Sequence, residues 1–168
     1  MVAYSYLFLI AVKFQFINTG KPHDDALKKA IDDFTNRINN YYKAEWIIIP
    51  PVKNAAALSP NILKTTEAQV LLSKINKNDF LILLDETGKQ LTSTELANFI
   101  EQKAIASARS IIFLIGGAYG VSDEIKQRAN FTWSLSKLVF PHMIVRLILA
   151  EQFYRACTIL RNEKYHHK

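Results

Sequence analysis

The chain has a single cysteine, Cys157, among its 168 residues. That excludes a disulfide framework within the chain and points to a reducing compartment. In an apolar helical stretch such a thiol reads as a small packing group. Long hydrophobic runs are missing as well. The longest early run, "LFLIAV" (Leu7 to Val12), stops at Lys13, far short of the roughly 20 residues a membrane-spanning helix needs. It carries neither a basic leader nor a small-x-small cleavage site, so no signal peptide is expected and a cytoplasmic protein is. Repeats, low-complexity tracts and linkers are absent. So are two nucleotide-binding signatures: the glycines at 116–120 are spaced G-G-x-x-G rather than G-x-G-x-x-G, and Gly88-Lys89 lacks the earlier glycine of a Walker loop. Tyr165, His166 and His167 have no Cys or Asp nearby, and no metal site is expected.

What is present suits one domain with a proper core: 49% of residues are hydrophobic and 21% charged. The net charge is +6, and residues 121–168 hold eight Lys/Arg against four Asp/Glu, which supplies +4 of it. A positive end of this kind suggests an anionic partner, nucleic acid first.

Apolar runs alternate with helical periodicity. "LFLIAVKFQFI", "EWIIIP", "DFLILLD" and "SIIFLIGG" read as strands. "KPHDDALKKAIDDFTNRINNYY" places Leu27, Ile31, Phe34 and Ile38 at helical spacing behind Pro22. Ser59-Pro60, Thr92 or Ser93, and Ser122 mark helix starts. A long last helix is predicted from Pro141, and "ETGK" is predicted to turn out of the third strand. Strands that are apolar throughout, separated by helices, predict a parallel sheet covered on both faces, a three-layer α/β/α domain. Residues 1–11 add length ahead of a strand that "VKFQFINTGK" supplies by itself. They read either as an extension or as an upstream start outside the natural chain.

In such a sheet ligands bind at the carboxyl ends of the strands. Two segments arrive there, "LLDETGK" (Leu83 to Lys89) and "GGAYG" (Gly116 to Gly120). The last helix is apolar almost all round, yet carries His142 and Arg146 four apart and Glu151 and Arg155 four apart, the two pairs about 180° from each other. A helix that is apolar on every side is buried on more than one side. Taken by spacing, each pair also fits a purely structural contact.

The ordered elements "LIGGAYG", "SLSKLVFPHMIVR" and "EQFYRA…YHH", with "LLDETGKQLTS" before them, resemble the bacterial large-subunit ribosomal RNA pseudouridine N3-methyltransferases. These form the small single-domain branch of the SPOUT class. The resemblance runs from about Val12 to the end. It implies a C-terminal trefoil knot, an exception to the usual rule, and a homodimer packed through the last helix. It implies S-adenosylmethionine as methyl donor, held by Leu84, Gly116, Leu135, Ser136, Lys137, Leu138, Val139 and Phe140. The implied acceptor is a pseudouridine in a stem-loop of large-subunit RNA within the ribosome. The implied catalytic groups are Glu151, Arg155, Tyr165 and His166, in or just before a tail at 161–168, with His142 and Arg146 beside the donor segment. No membrane is involved. Ala118 departs from the proline or serine common at its position. Two rivals stay open: a SPOUT enzyme acting on transfer RNA, and a non-catalytic RNA-binding module.

Overall fold

A computed structural model describes residues 12–22, 25–106 and 110–165. The segment 1–11 and His166 fall outside them. In chain order the elements are β1 (Lys13–Thr19), α1 (Asp25–Ile38), β2 (Lys43–Ile49), a short 3-10 turn (Ala55–Ala57), α2 (Pro60–Lys74), β3 (Phe80–Gln90), α3 (Ser93–Ala106), β4 (Ser110–Ile115), α4 (Asp123–Arg128), β5 (Phe131–Ser134) and α5 (His142–Leu160). The five strands form one sheet in the order β2-β1-β4-β3-β5, and every pairing is parallel.

The helices start where side chains can satisfy their first N–H groups. Ser59 accepts from the Ile62 N–H with Pro60 in the first turn, and Ser122 accepts from the Ile125 N–H. At α3 the choice falls on Thr92. Its hydroxyl accepts from the Glu95 N–H at 3.2 Å while Glu95 Oε2 accepts from the Thr92 N–H at 2.7 Å, a reciprocal capping box.

Alternation along the strands fills two cores. Phe14 and Phe16 of β1, Ile82 of β3 and Phe113 of β4 face α3 and α5. Ile17, Leu81, Leu83, Ile112 and Leu114 point the other way, towards Leu71 of α2 and Ile125 of α4. Helix α5 packs between α1 and α3, which completes the expected three layers.

Two readings of the sequence need correction. "ETGK" is not a turn out of the strand: β3 continues to Gln90. Leu84 and Lys89 both stand opposite Trp133, and the register shifts between them. The intervening residues form an excursion within the strand, pinned where Asp85 Oδ1 accepts from the Thr87 N–H at 2.9 Å and its hydroxyl at 2.6 Å. The second correction is β5 itself, which the sequence reading passed over. Its edge position against β3 demands close approach. A Cβ on Gly88 would stand 2.7 Å from the Thr132 carbonyl carbon and oxygen, a space that only glycine leaves open.

Phe153 of α5 is fully buried, with its ring 4.8 Å from Phe14, 5.4 Å from Phe16 and 5.6 Å from Phe113, centroid to centroid. Phe153→Ala should therefore cost about 3–5 kcal/mol, read as a lower denaturation midpoint in urea with an unchanged slope.

Candidate donor cavity and a separate polar cluster

Between the excursion in β3 and the carboxyl end of β4 lies a cavity of about 490 Å³, within the range of small-molecule sites. Three segments build it. The first is the excursion within β3, with Leu84, Asp85, Glu86 and Thr87. The second is the glycine loop after β4. Here Gly120 donates its N–H to the Gly117 carbonyl at 2.9 Å, and the two residues form an isolated bridge around Ala118 and Tyr119. Gly120 takes φ 77°, the left-handed region that suits glycine. Gly117 lies so close to α2 and β1 that a Cβ there would stand 2.6 Å from Glu67 Oε2 and 3.1 Å from Thr19 Oγ1.

The third wall is the segment between β5 and α5. Leu135, Ser136, Leu138, Val139 and Phe140 line the cavity; Lys137, expected with them, is exposed and does not. Ser136 shapes the turn: its carbonyl accepts from the Ser134 hydroxyl at 2.9 Å, and its own hydroxyl accepts from the Leu138 N–H at 3.0 Å. Leu138 and Val139 are 68% and 85% exposed, which is costly for two large apolar side chains. Trp133 also lines the cavity, and its buried indole N–H has no hydrogen-bond partner among the described residues. Sequence reasoning missed Trp133, Tyr119, Val121, Lys64 and Lys126 as cavity residues. Trp133 lay in an unrecognised strand; the lysines come from helices whose register sequence alone leaves open.

The two polar pairs of α5 go to different places. His142 reaches the cavity wall, as does Val145. Burial, with help from the nearby Arg146 charge, holds the His142 imidazole below its ordinary value, so it is neutral at pH 7. Arg146 is only 2% exposed; it donates from Nη1 to the Lys21 carbonyl at 3.0 Å and ties α5 to the loop after β1. Burial lowers its pKa as well.

On the opposite side of α5, Glu151 Oε1 gathers three donors: Arg155 Nε at 3.0 Å, Arg155 Nη2, and the Tyr165 hydroxyl at 3.2 Å. Glu151 Oε2 accepts from Gln152, which in turn accepts from the Ser93 hydroxyl at 2.8 Å. The Arg155 guanidinium lies 4.8 Å over the Tyr165 ring, a cation–π contact. Burial and then the Glu151 carboxylate push the Tyr165 phenol up, so it stays protonated. The structure thus brings Glu151, Arg155 and Tyr165 together, but none of them lines the cavity of the same chain.

The lowered His142 value has a measurable sign. The unfolded chain takes up a proton as pH falls through 6.5, while the folded chain resists it. Stability is therefore full above that value and declines below it until the folded group also titrates. Urea midpoints at about pH 5.5 and about pH 7.5 should differ less in His142→Gln than in the wild type.

A family model described as a predicted SPOUT methyltransferase matches residues 12–166. The chain is 44% identical over 156 residues to "Ribosomal RNA large subunit methyltransferase H" of Cytophaga hutchinsonii, covering 93% of this chain and 100% of the relative. It is 42% identical over 149 residues to the protein of the same name from Christiangramia forsetii, covering 89% and 95%. A solved structure described as a probable methyltransferase from Bordetella pertussis Tohama I shares the fold, with a TM-score of 0.52 at 12% identity over 92% of this chain and 99% of that one. A probable methylase family protein from Haemophilus influenzae Rd KW20 does likewise, with a TM-score of 0.53 at 10% identity over 95% and 72%. This chain belongs to the SPOUT methyltransferase family.

Proposed function

We propose that this protein methylates large-subunit ribosomal RNA at N3 of a pseudouridine, with S-adenosylmethionine as donor, and works as a homodimer whose C-terminal segment is threaded as a trefoil knot. The observation that carries the reading is the cavity framed by Leu84, Gly116 and residues 135–140, on a chain whose relatives are named for methylating this RNA.

The cavity residues suit the donor. Leu84, Leu135, Phe140 and Val145 offer an apolar slot for a purine, while Asp85, Glu86 and the unpartnered Trp133 N–H offer polar contacts. When bound, S-adenosylmethionine supplies a methyl group already activated by its sulfonium. The protein's task is then to hold the two reactants in line and to assist loss of the imide proton.

Glu151 sits six residues beyond Val145, about 9 Å along the helix at 1.5 Å per residue, and on the side of α5 opposite His142. One chain therefore does not bring its polar cluster to its own cavity. A second copy packed along α5 would bring the cluster of each subunit to the cavity of the other. The apolar surface for such packing exists: Leu138 and Val139 are exposed, and Ile144, Leu147 and Ile148 are only half-buried. In that arrangement Glu151 fixes the Arg155 fork, Arg155 orients an RNA phosphate or imide oxygen, Tyr165 caps the pair, and His166 of the tail takes up the proton. A domain of this kind would recognise a preformed ribosomal surface by shape and phosphate contacts.

Labelled methyl should pass from S-adenosylmethionine to ribosomes lacking the modification, and not to transfer RNA; label in transfer RNA would overturn the substrate. Arg155→Ala should lower kcat by about a hundredfold or more with a much smaller effect on donor affinity by calorimetry, because the role assigned to Arg155 is toward the RNA rather than the donor. Unaltered turnover in His166→Ala would remove that residue from the proton transfer.

A further inference from the structure

Tyr119 is an aromatic ring held out at the mouth of the donor cavity. It is 60% exposed and lines the cavity, and among the described residues no hydrogen bond or ring contact engages it. Exposure of one aromatic residue is ordinary. The setting of this one is not, because its backbone has little freedom. The ring sits at the tip of a turn closed by the Gly120–Gly117 hydrogen bond of 2.9 Å. The base of that turn is wedged against Glu67 and Thr19 at Gly117. Beneath it, Gly116 is seated on Val121, whose Cγ1 would stand 2.7 Å from a Cβ there. A loop anchored at its base that presents an unengaged ring beside a cavity lowers the ordering entropy its ligand must meet.

We propose that Tyr119 is a stacking platform for an unstacked nucleobase of the RNA substrate, at or next to the methylated base. The inference rests on the RNA methyltransferase reading above and deepens it. A base buried in an RNA stem cannot present its imide nitrogen to a methyl group inside a cavity, so it must leave its stack. Proteins that receive splayed-out bases commonly compensate the lost stacking with an aromatic face. Tyr119 is the large aromatic side chain most exposed among the described residues. Of the other rings on the cavity, Trp133 is buried and Phe140 and His142 are half-buried, and the nearby Lys64, Lys126, Asp85 and Glu86 are two charges of each sign. With those charges balanced, stacking rather than phosphate attraction is what this rim contributes.

The test compares wild type, Tyr119→Ala and Tyr119→Trp in steady-state methylation of ribosomes lacking the modification. Donor affinity is measured by calorimetry and subunit mass by sedimentation for each protein. Tyr119→Ala should raise KM for ribosomes about tenfold to a hundredfold, with donor affinity and dimer mass unchanged. Tyr119→Trp should restore KM to near wild type. The slope of log KM against log salt should be the same in all three, since no phosphate contact is lost. An unchanged KM in Tyr119→Ala would overturn the platform while leaving the activity in place. A loss of donor affinity would make the ring a donor contact, and a shift to monomer would make it an interface residue; either result overturns it too. Absence of transfer by the wild-type protein would instead sink the substrate reading, and this inference with it.

Discussion

Everything functional in this molecule hangs on the contact between one helix and one patch of sheet. Phe153 stands edge-on to Phe14, Phe16 and Phe113, and that cluster fixes both the rotation of α5 and its position along the strands. Rotation decides which polar pair points where. Position decides that the first turn of α5 closes the cavity while its middle and later turns carry Glu151 and Arg155. Arg146 adds a second anchor by reaching the Lys21 carbonyl. A buried guanidinium is expensive to place, so its presence here marks a junction whose geometry matters more than its stability.

The cavity shows how a parallel sheet converts backbone placement into a binding site. Strand β5 is only four residues long, yet it brings Trp133 and the following segment beside the excursion in β3 and the end of β4. It can do so because Gly88 leaves room for the Thr132 backbone. The excursion in β3 has a matching purpose: Asp85 and Thr87 hold each other in a local turn, so the strand both lines the cavity and resumes its pairing at Lys89.

Much of this was legible beforehand, for identifiable reasons. Uninterrupted apolar runs such as "SIIFLI" gave away buried parallel strands, because only a sheet covered on both faces tolerates them. The angular offset between His142 and Glu151 was fixed by helix geometry alone, and the two residues do face different surroundings. Residues whose roles depend on long-range packing stayed hidden. "FTWS" is too short and too polar to announce a strand. "ETGK" has the composition of a turn and makes one, but inside a strand that continues, which only the partner β5 determines. Tyr119 carried no periodic signal, and its place at the rim follows from the loop's contacts with α2 and β1. The resemblance assigned 135–140 to the donor residue by residue; the structure puts five of the six on the cavity wall and sets Lys137 apart, exposed and away from it.

The late position of α5 in the chain has a consequence for how the protein is made. Phe14 and Phe16 emerge from the translating ribosome first, but the ring that covers them belongs to residue 153 of 168. Until α5 has been released, Phe14 and Phe16 lack the ring that packs on them and the nascent chain carries part of this core uncovered, a condition that favours chaperone capture or misassociation. Productive packing of that core is therefore deferred until α5 has been made.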